Sequence, residues 1–296
     1  MEKSYTTSGD LQVQLSIAQE SPAFPDIRLV PVKNLVPHEF EDPQRSKRLV
    51  ERINTDGILQ NPIIVRPLDD EGQEFVVLDG ANRTNALRTM GVQHALVQVI
   101  AIDDPGLNLT TWNHVVSGIS SHELMNRMKL SSNLLLDLGQ VEDVFVDDEY
   151  LPVVQIHLSE VEVFNSYTSN DGPAKRIMAI NQLVDTIKKD AVIHRTHIND
   201  MKVIKEIYED VAAMLVFCDL SLVDISRTVR SGQLLPAGIT RFTVSPRALR
   251  VNYPLRELKS STPISEKNGK LKQWINALFS KKRIRIYNET TIMFDE

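Results

Sequence analysis

The chain predicts an α+β fold in which a small N-terminal domain precedes a mixed, helix-rich second domain. Three observations predict it. Short apolar strand patterns alternate with short helix patterns from Ile27 to about Ile102. Beyond Pro105 the helical faces lengthen, as with Ile177, Ile180, Val184 and Ile187. From Gly238 to Leu255 the chain returns to strand-like alternation punctuated by Pro246 and Pro254. The expected divisions are a flexible arm over 1–25, a first domain over 26–104 and a second over 105–296.

Each element has a local reason. The first 25 residues mix Ser, Thr, Gly, Gln and Pro and hold too few apolar positions to pack. A strand follows over 27–32, then a polar helix from about Arg45 to Asn54 that Gly57 stops. Pro62 opens the strand Ile63-Ile64-Val65, and Phe75-Val76-Val77-Leu78 makes a second buried strand. A helix from about Asn82 to Met90 ends at Gly91, before a strand over 95–102. In the second part, Ile204, Ile207, Tyr208, Val211, Met214 and Leu215 share a helical face, which predicts a helix packed on the one through Ile187. A helix around Trp274 and a final strand from Arg283 to Tyr287 complete the expectation.

Composition excludes several function classes. Thirty-three Lys and Arg against 39 Asp and Glu leave a formal charge of −6, which gives the whole molecule no field to attract nucleic acid. Cys218 is the one cysteine, at the end of the apolar run Val211 to Phe217, and reads as a buried thiol in a reducing, cytoplasmic compartment. That run is far short of the ~20 apolar residues that span a bilayer, and the start MEKSYTTSGD lacks an apolar signal core, so no membrane is expected. The 12 glycines include no G-x-G pair, which removes the usual dinucleotide and protein-kinase loops. Gly269-Lys270 is followed by Leu271 rather than Ser or Thr, so it is no P-loop. His194, His197 and Asp200 have a spacing that puts two imidazoles and a carboxylate on one helical face, but with no fourth ligand they read as a solvated helix start. Lys281, Lys282, Arg283 and Arg285 read as the solvated edge of the terminal strand.

The segment that carries chemistry is Leu78-Asp79-Gly80-Ala81-Asn82-Arg83, which joins a buried strand directly to a helix. Such a junction leaves main-chain N–H groups free at the positive end of the helix dipole, a geometry that binds phosphate. Arg83 is placed to close on the anion, and Asp79 to handle a proton or position a water or metal. The plainer reading is an Asp-Gly turn with Asn82 as a helix cap. A second polar group, His38-Glu39 with Arg45 and Arg48 just beyond, precedes the first helix. A carboxylate near an anion site can act as a general base toward a hydroxyl.

The blocks LVPVKNLVPHEFEDPQR, NPIIV and VVLDGANRTNALRTMG resemble the nucleotide-binding domain of the ParB/sulfiredoxin superfamily. Thr111-Trp112-Asn113-His114 and LPAGITRFTVSPRAL (235–249) resemble the second domain of that superfamily's free L-serine kinases, found in siderophore biosynthesis clusters and, with ADP as donor, in archaea. The resemblance spans roughly residues 28 to 255 and implies a ParB/sulfiredoxin-like domain over 26–104 and a substrate-binding domain over 105–296. It implies transfer of the terminal phosphate of ATP or ADP to the L-serine hydroxyl, with Mg²⁺, giving O-phospho-L-serine. Glu39 is then the base and Asp79 assists at the phosphoryl group. Gly80, Ala81, Asn82, Arg83 and Thr84, with Arg45, bind nucleotide; Asn82 stands where the family usually has histidine. Trp112, His114, Thr240 and Arg241 form the amino-acid pocket, Arg241 suiting the serine carboxylate by its bidentate fork. Metal ligands stay unassigned, and the enzyme is expected as a monomer or homodimer.

Other members of the superfamily fit less well. A sulfiredoxin needs a cysteine in the phosphate loop, where this chain has Ala81 and Asn82. The alternative function is a ParB-like regulator that binds nucleotide and then DNA or a protein partner, and it calls for a helix-turn-helix module and a basic surface. A nucleotidase-like hydrolase, with water replacing serine, is a third reading. ATP and ADP present the same phosphate chain to the loop, so the donor is open.

Overall fold

The computed structural model describes residues 24–69, 72–130, 134–139 and 148–287. It is an α+β molecule built on two sheets. The expected arm over 1–25 lies almost wholly outside the described residues.

The first sheet holds β1 (Asp26–Pro31), β2 (Leu35–Pro37), β4 (Ile63–Pro67), β5 (Phe75–Asp79) and β6 (His94–Val99) in the order β1-β6-β4-β5-β2. It is mixed: β4 runs parallel to β6 and antiparallel to β5, and β2 runs parallel to β5. Both of its faces are buried, which explains why β4 and β5 read as continuous apolar runs. Alternation divides the side chains. Ile63, Val65, Phe75 and Val77 enter one core with Leu29, Leu87 and Leu96, whereas Ile64, Val76 and Leu78 enter the core of the second sheet.

Two helices frame the end of β5. In α1 (Pro43–Asp56) Asp42 caps the start through Gln44 and Arg45 N–H, Pro43 supplies the preset first turn, and Gly57 closes it at φ 64°. β3 (Ile58–Leu59) follows directly, and a single residue, Gly80 at φ 116°, separates β5 from α2 (Ala81–Thr89). Both helices begin slightly earlier than the sequence predicts, as Asp42 and Gly80 take the cap positions.

The second sheet is wholly antiparallel: β8 (Asn113–Ser117), β9 (Leu135–Gly139), β10 (Tyr150–His157), β11 (Val163–Ser169), β12 (Val192–Thr196) and β13 (Val211–Phe217), in the order β12-β8-β13-β10-β11-β9. Helices α3 (Ser121–Lys129), α4 (Pro173–Lys188) and α5 (Met201–Ile207) lie between its strands in sequence, and α6 (Leu222–Arg230) follows the last of them. The predicted face Ile177, Ile180, Val184 and Ile187 is buried on α4. β7 (Leu107–Thr111) pairs with β14 (Thr240–Val244) in a separate ribbon, and β15 (Tyr253–Pro254) pairs with β3. Helices α7 (Leu255–Lys259) and α8 (Ile264–Ser280) follow, the latter containing Trp274. Tyr253, Leu255, Leu258 and Leu271 join the core of the first sheet, so the chain returns at its end to the N-terminal layer.

Three expectations are corrected. The second predicted helix stops at Ile207; Asp210 turns the chain at φ 52° and Val211–Phe217 is a central strand. A run that is apolar at every position satisfies helical spacing and strand burial alike, and its seven-residue length suits a strand. His194 therefore lies on β12, while Asp200 caps α5, so no shared helical face exists. Among the described residues no cluster of three His, Cys, Asp or Glu is able to hold a metal ion. Residues 283–287 form no strand, and the basic run there is exposed coil. Cys218 follows β13 half-buried, and burial raises its thiol above the ordinary value. Among the described residues no helix is long and apolar enough to cross a membrane.

Candidate active site

Glu39 sits at the junction of the two layers. Residues 38–40 exchange main-chain hydrogen bonds with Leu235: the Leu235 N–H donates to His38 O, and the Phe40 N–H donates to Leu235 O, each at 2.8 Å. The chain from Leu235 to Thr240 then wraps the carboxylate. Gly238 N–H donates to Oε2 at 2.8 Å, Thr240 N–H to Oε1 at 2.7 Å, and the Thr240 hydroxyl lies 2.6 Å from Oε1. The side chain is 13% exposed, enough to meet a ligand while its orientation is fixed. Oε2 carries one of these donors and Oε1 two, so Oε2 is the freer oxygen.

His38 completes the arrangement from below. Its Nδ1 is 2.6 Å from Val77 O, a pure acceptor, so Nδ1 carries a proton. Its Nε2 is 2.7 Å from the Thr240 hydroxyl. That hydroxyl donates to Oε1 of Glu39 and so links the imidazole to the carboxylate. The His38 ring packs edge-on to Phe242 at 5.5 Å, which fixes it further.

The phosphate-type loop stands alongside. The Asn82 side-chain Oδ1 accepts from Asp42 N–H at 2.7 Å and from the Ser46 hydroxyl at 3.3 Å, tying the start of α1 to the start of α2. Thr84 is fully buried, with its N–H at 2.8 Å and its hydroxyl at 3.1 Å from Gly80 O. Asn82 and Thr84 thus use their side chains inside the protein, leaving the main-chain N–H groups at 81–83 as the loop's open donors. Gly80 is required here: a Cβ would lie 2.9 Å from Arg83 Nε and 3.2 Å from Ile63 Cγ2, at a φ that side chains avoid.

Two arginines converge on Asp79. Arg83 meets its Oδ2 at 3.2 Å, and Arg247, from the segment after β14, meets the same oxygen. Burial lowers Arg83 to about 10, so it stays charged at neutral pH. Arg247 was not legible as a site residue in the sequence, because it lies 168 residues from Asp79 with no motif to link them.

The predicted amino-acid pocket divides into two groups. Thr240 faces Glu39, and His114 reaches the same turn by donating Nε2–H to Gly238 O at 2.9 Å. Burial drives His114 down to about 4, so it is neutral, and its Nδ1 is buried without a hydrogen-bond partner. Arg241 follows Thr240 on β14 and so points to the opposite face of the ribbon. There its guanidinium stacks 5.0 Å over the Trp112 ring. The Trp112 main-chain N–H donates to Ile239 O at 2.9 Å. Neither Trp112 nor Arg241 makes a hydrogen bond or ion pair with the Glu39 carboxylate among the described residues. Arg195 was missed altogether: it is the cross-strand partner of His114, and its side chain lies across Gly238. Arg45 stands in the first turn of α1.

No family model matches the chain. It is 24% identical over 272 residues to the ATP-dependent L-serine kinase SbnI of Staphylococcus aureus, covering 91% of this chain and 97% of that one. It is 31% identical over 121 residues to an ATP-dependent L-serine kinase of Staphylothermus marinus, 41% of this chain and 47% of the relative. Among solved structures, SbnI with a C-terminal truncation aligns over 86% of this chain and 97% of that one, with a TM-score of 0.66 at 21% identity. A free serine kinase in complex with AMP aligns over 79% and 93%, with a TM-score of 0.63 at 14% identity. The chain therefore shares the fold of these kinases along most of its length.

Proposed function

We propose that the protein is an ATP-dependent kinase of free L-serine that makes O-phospho-L-serine, a phosphotransferase with Glu39 as its general base. The observation that carries this reading is the fixed carboxylate of Glu39, held by Gly238 and Thr240 beside the open N-terminus of α2. Phosphoryl transfer asks little covalent work of a protein; positioning, charge neutralisation and one base suffice. Similarity to two curated L-serine kinases named ATP-dependent supports both the acceptor and the donor.

In this reading the phosphate chain lies on the main-chain N–H groups of 81–83, with Arg83 and Arg45 as cationic neighbours. Oε2 of Glu39 takes the serine hydroxyl proton as that oxygen attacks the terminal phosphorus; the P–O bond to the nucleotide breaks and ADP leaves. Oε1 stays anchored by Thr240, so the carboxylate does not swing when it becomes protonated. The Arg83 and Arg247 pairs hold Asp79 at the loop, where its Oδ1 has no hydrogen-bond partner among the described residues. One open carboxylate oxygen beside a phosphate site fits Mg²⁺, which usually takes one or two carboxylates plus phosphate oxygens. Asp79 would hold the ion, which would neutralise phosphate charge. His114 and Gly238 support the base, and Trp112 with Arg241 forms a second candidate contact for the amino acid. A cytoplasmic enzyme acting as a monomer or homodimer accompanies the reading.

The test is Glu39→Gln, which keeps most of the hydrogen-bonding shape and removes the base. Serine phosphorylation is expected to fall by at least about 100-fold, within the ~10²–10⁴ that general-base catalysis supplies, with nucleotide affinity nearly unchanged. Substantial turnover in this variant refutes the assignment of the base.

A further inference from the structure

Arg195 is the group that neither the sequence motifs nor the loop geometry accounts for. It lies on β12 directly opposite His114 on β8, and paired residues in an antiparallel ladder project to the same face. Both side chains end at Gly238. His114 bonds the Gly238 carbonyl, and the arginine lies flat along the α-carbon: a Cβ there would stand 2.3 Å from Nη1, 2.6 Å from Cδ and 2.7 Å from Cζ of Arg195. The same Gly238 donates its N–H to Oε2 of Glu39, the freer oxygen of the base. Gly238 has φ +80°, so the turn and the passage of the arginine over it both exclude a side chain.

The electrostatics of this position are unusual. Burial lowers the proton affinity of Arg195, and Arg45 lowers it further, against the pull of Glu39 and Asp42. Two guanidinium groups from different layers, Arg45 on α1 and Arg195 on β12, therefore repel each other. Among the described residues neither has an ion pair within 4 Å, and neither guanidinium makes a side-chain hydrogen bond, although the guanidinium is exposed enough to reach a ligand. Asp42 is already spent on capping α1. An oxyanion between the two cations would relieve their repulsion and gain charge-assisted hydrogen bonds from both.

We infer that Arg195 is a substrate-contacting residue which, with Arg45, clamps the phosphoryl group in transfer. This rests on the kinase reading above and deepens it. The choice of phosphoryl over the serine carboxylate follows from where the two cations stand. Arg45 belongs to the turn that Asn82 ties to the phosphate-type loop, and Arg195 lies across Gly238, whose N–H holds the Glu39 oxygen that meets the acceptor hydroxyl. The group located between loop and base is the one that travels from donor to acceptor. Donors aimed at such charge act where it develops, so they favour the transition state over the ground state.

The experiment uses the full chain with Arg195→Gln, Arg195→Lys and Arg195→Gly, each checked for native folding by circular dichroism and thermal melting. Binding of ADP and of a non-hydrolysable ATP analogue is measured by calorimetry beside serine kinetics. For Arg195→Gln the expected result is a fall in kcat of about 100-fold or more, the loss typical of one transition-state donor. The ATP analogue should bind at least tenfold more weakly while ADP, which lacks the transferred group, binds as in wild type. Guanidinium ion added to Arg195→Gly should restore part of the lost rate, which a structural role would not permit. A kcat within threefold of wild type overturns the proposal, and so does a tenfold rise in the serine KM with kcat intact, which would give Arg195 the serine carboxylate instead. If Arg195→Gln does not fold, Arg195→Lys carries the same expectations, because its point charge lacks the two-pronged fork. Failure of the wild type to make O-phosphoserine would refute the kinase reading itself. The comparison of ATP analogue with ADP then still decides whether Arg195 senses a terminal phosphate.

Discussion

Replacing Thr240 by valine removes a single hydroxyl and leaves the volume almost unchanged, yet that hydroxyl serves two buried groups. It lies 2.6 Å from Oε1 of Glu39 and 2.7 Å from Nε2 of His38. A hydrogen bond to a charged group is worth roughly 1.5–3 kcal/mol, and a buried ring nitrogen left unpaired costs about 1–3 kcal/mol. The two losses share one atom and do not add fully, so Thr240→Val is expected to destabilise the fold by about 2–4 kcal/mol. Glu39 keeps the N–H groups of Gly238 and Thr240 but loses one of three anchors. A loosened base should lower kcat by about 10- to 100-fold through misplacement, with the KM for ATP little changed. Urea denaturation with a constant m value reads the first effect, and serine phosphorylation reads the second. Thr240→Ser keeps the hydroxyl and should stay within about 1 kcal/mol of wild type, since it loses only a methyl group. A Thr240→Val protein as stable as wild type, or a serine variant as impaired as the valine one, would refute the linked role of this hydroxyl.

Two further outcomes follow from the same geometry. Gly80→Ala meets Arg83 and Ile63 at φ +116° and should cost at least about 1–2 kcal/mol of left-handed strain, and by pushing Arg83 off Asp79 weaken nucleotide binding about tenfold or more; affinity equal to wild type would contradict the loop's role. His114 is neutral in the fold, where burial lowers it to about 4 from an ordinary 6.5. The unfolded chain takes up a proton first as pH falls, so this group's contribution is full above about pH 6.5 and declines toward pH 4, by up to about 3 kcal/mol. His114→Gln should remove that part of the acid slope in urea titrations, and an unchanged slope would show that His114 is not buried neutral.

Much of the N-terminal layer was legible because its punctuation is local. Asp42 with Pro43 starts α1, Gly57 ends it, and Gly80 forces the turn into α2, so each boundary lies within a residue or two of the signal. Val211–Phe217 was misread because a run with no polar residue carries no period; its short length and its place between β8 and β10 make it a strand. The site was legible in part. Glu39 and the loop at 79–83 stood out as short motifs, and the string Leu235 to Phe242 wraps the first. The Asn82 carbonyl oxygen also binds Asp42 and Ser46, a pairing between segments up to 40 residues apart that no local pattern announces. Arg195 and Arg247 were invisible for the same reason: strand pairing and the return of the chain bring them in from far along the sequence.

The central claim is that one phosphoryl group passes from a nucleotide to the hydroxyl of free serine. Purified protein is incubated with Mg²⁺ and L-serine and, in parallel, ATP, ADP or CTP, and the mixtures are followed by phosphorus NMR and mass spectrometry. The account predicts O-phospho-L-serine formed one for one with ADP in the ATP sample. Nucleotide that stays bound and unconsumed, or ATP split to inorganic phosphate with serine untouched, would contradict it.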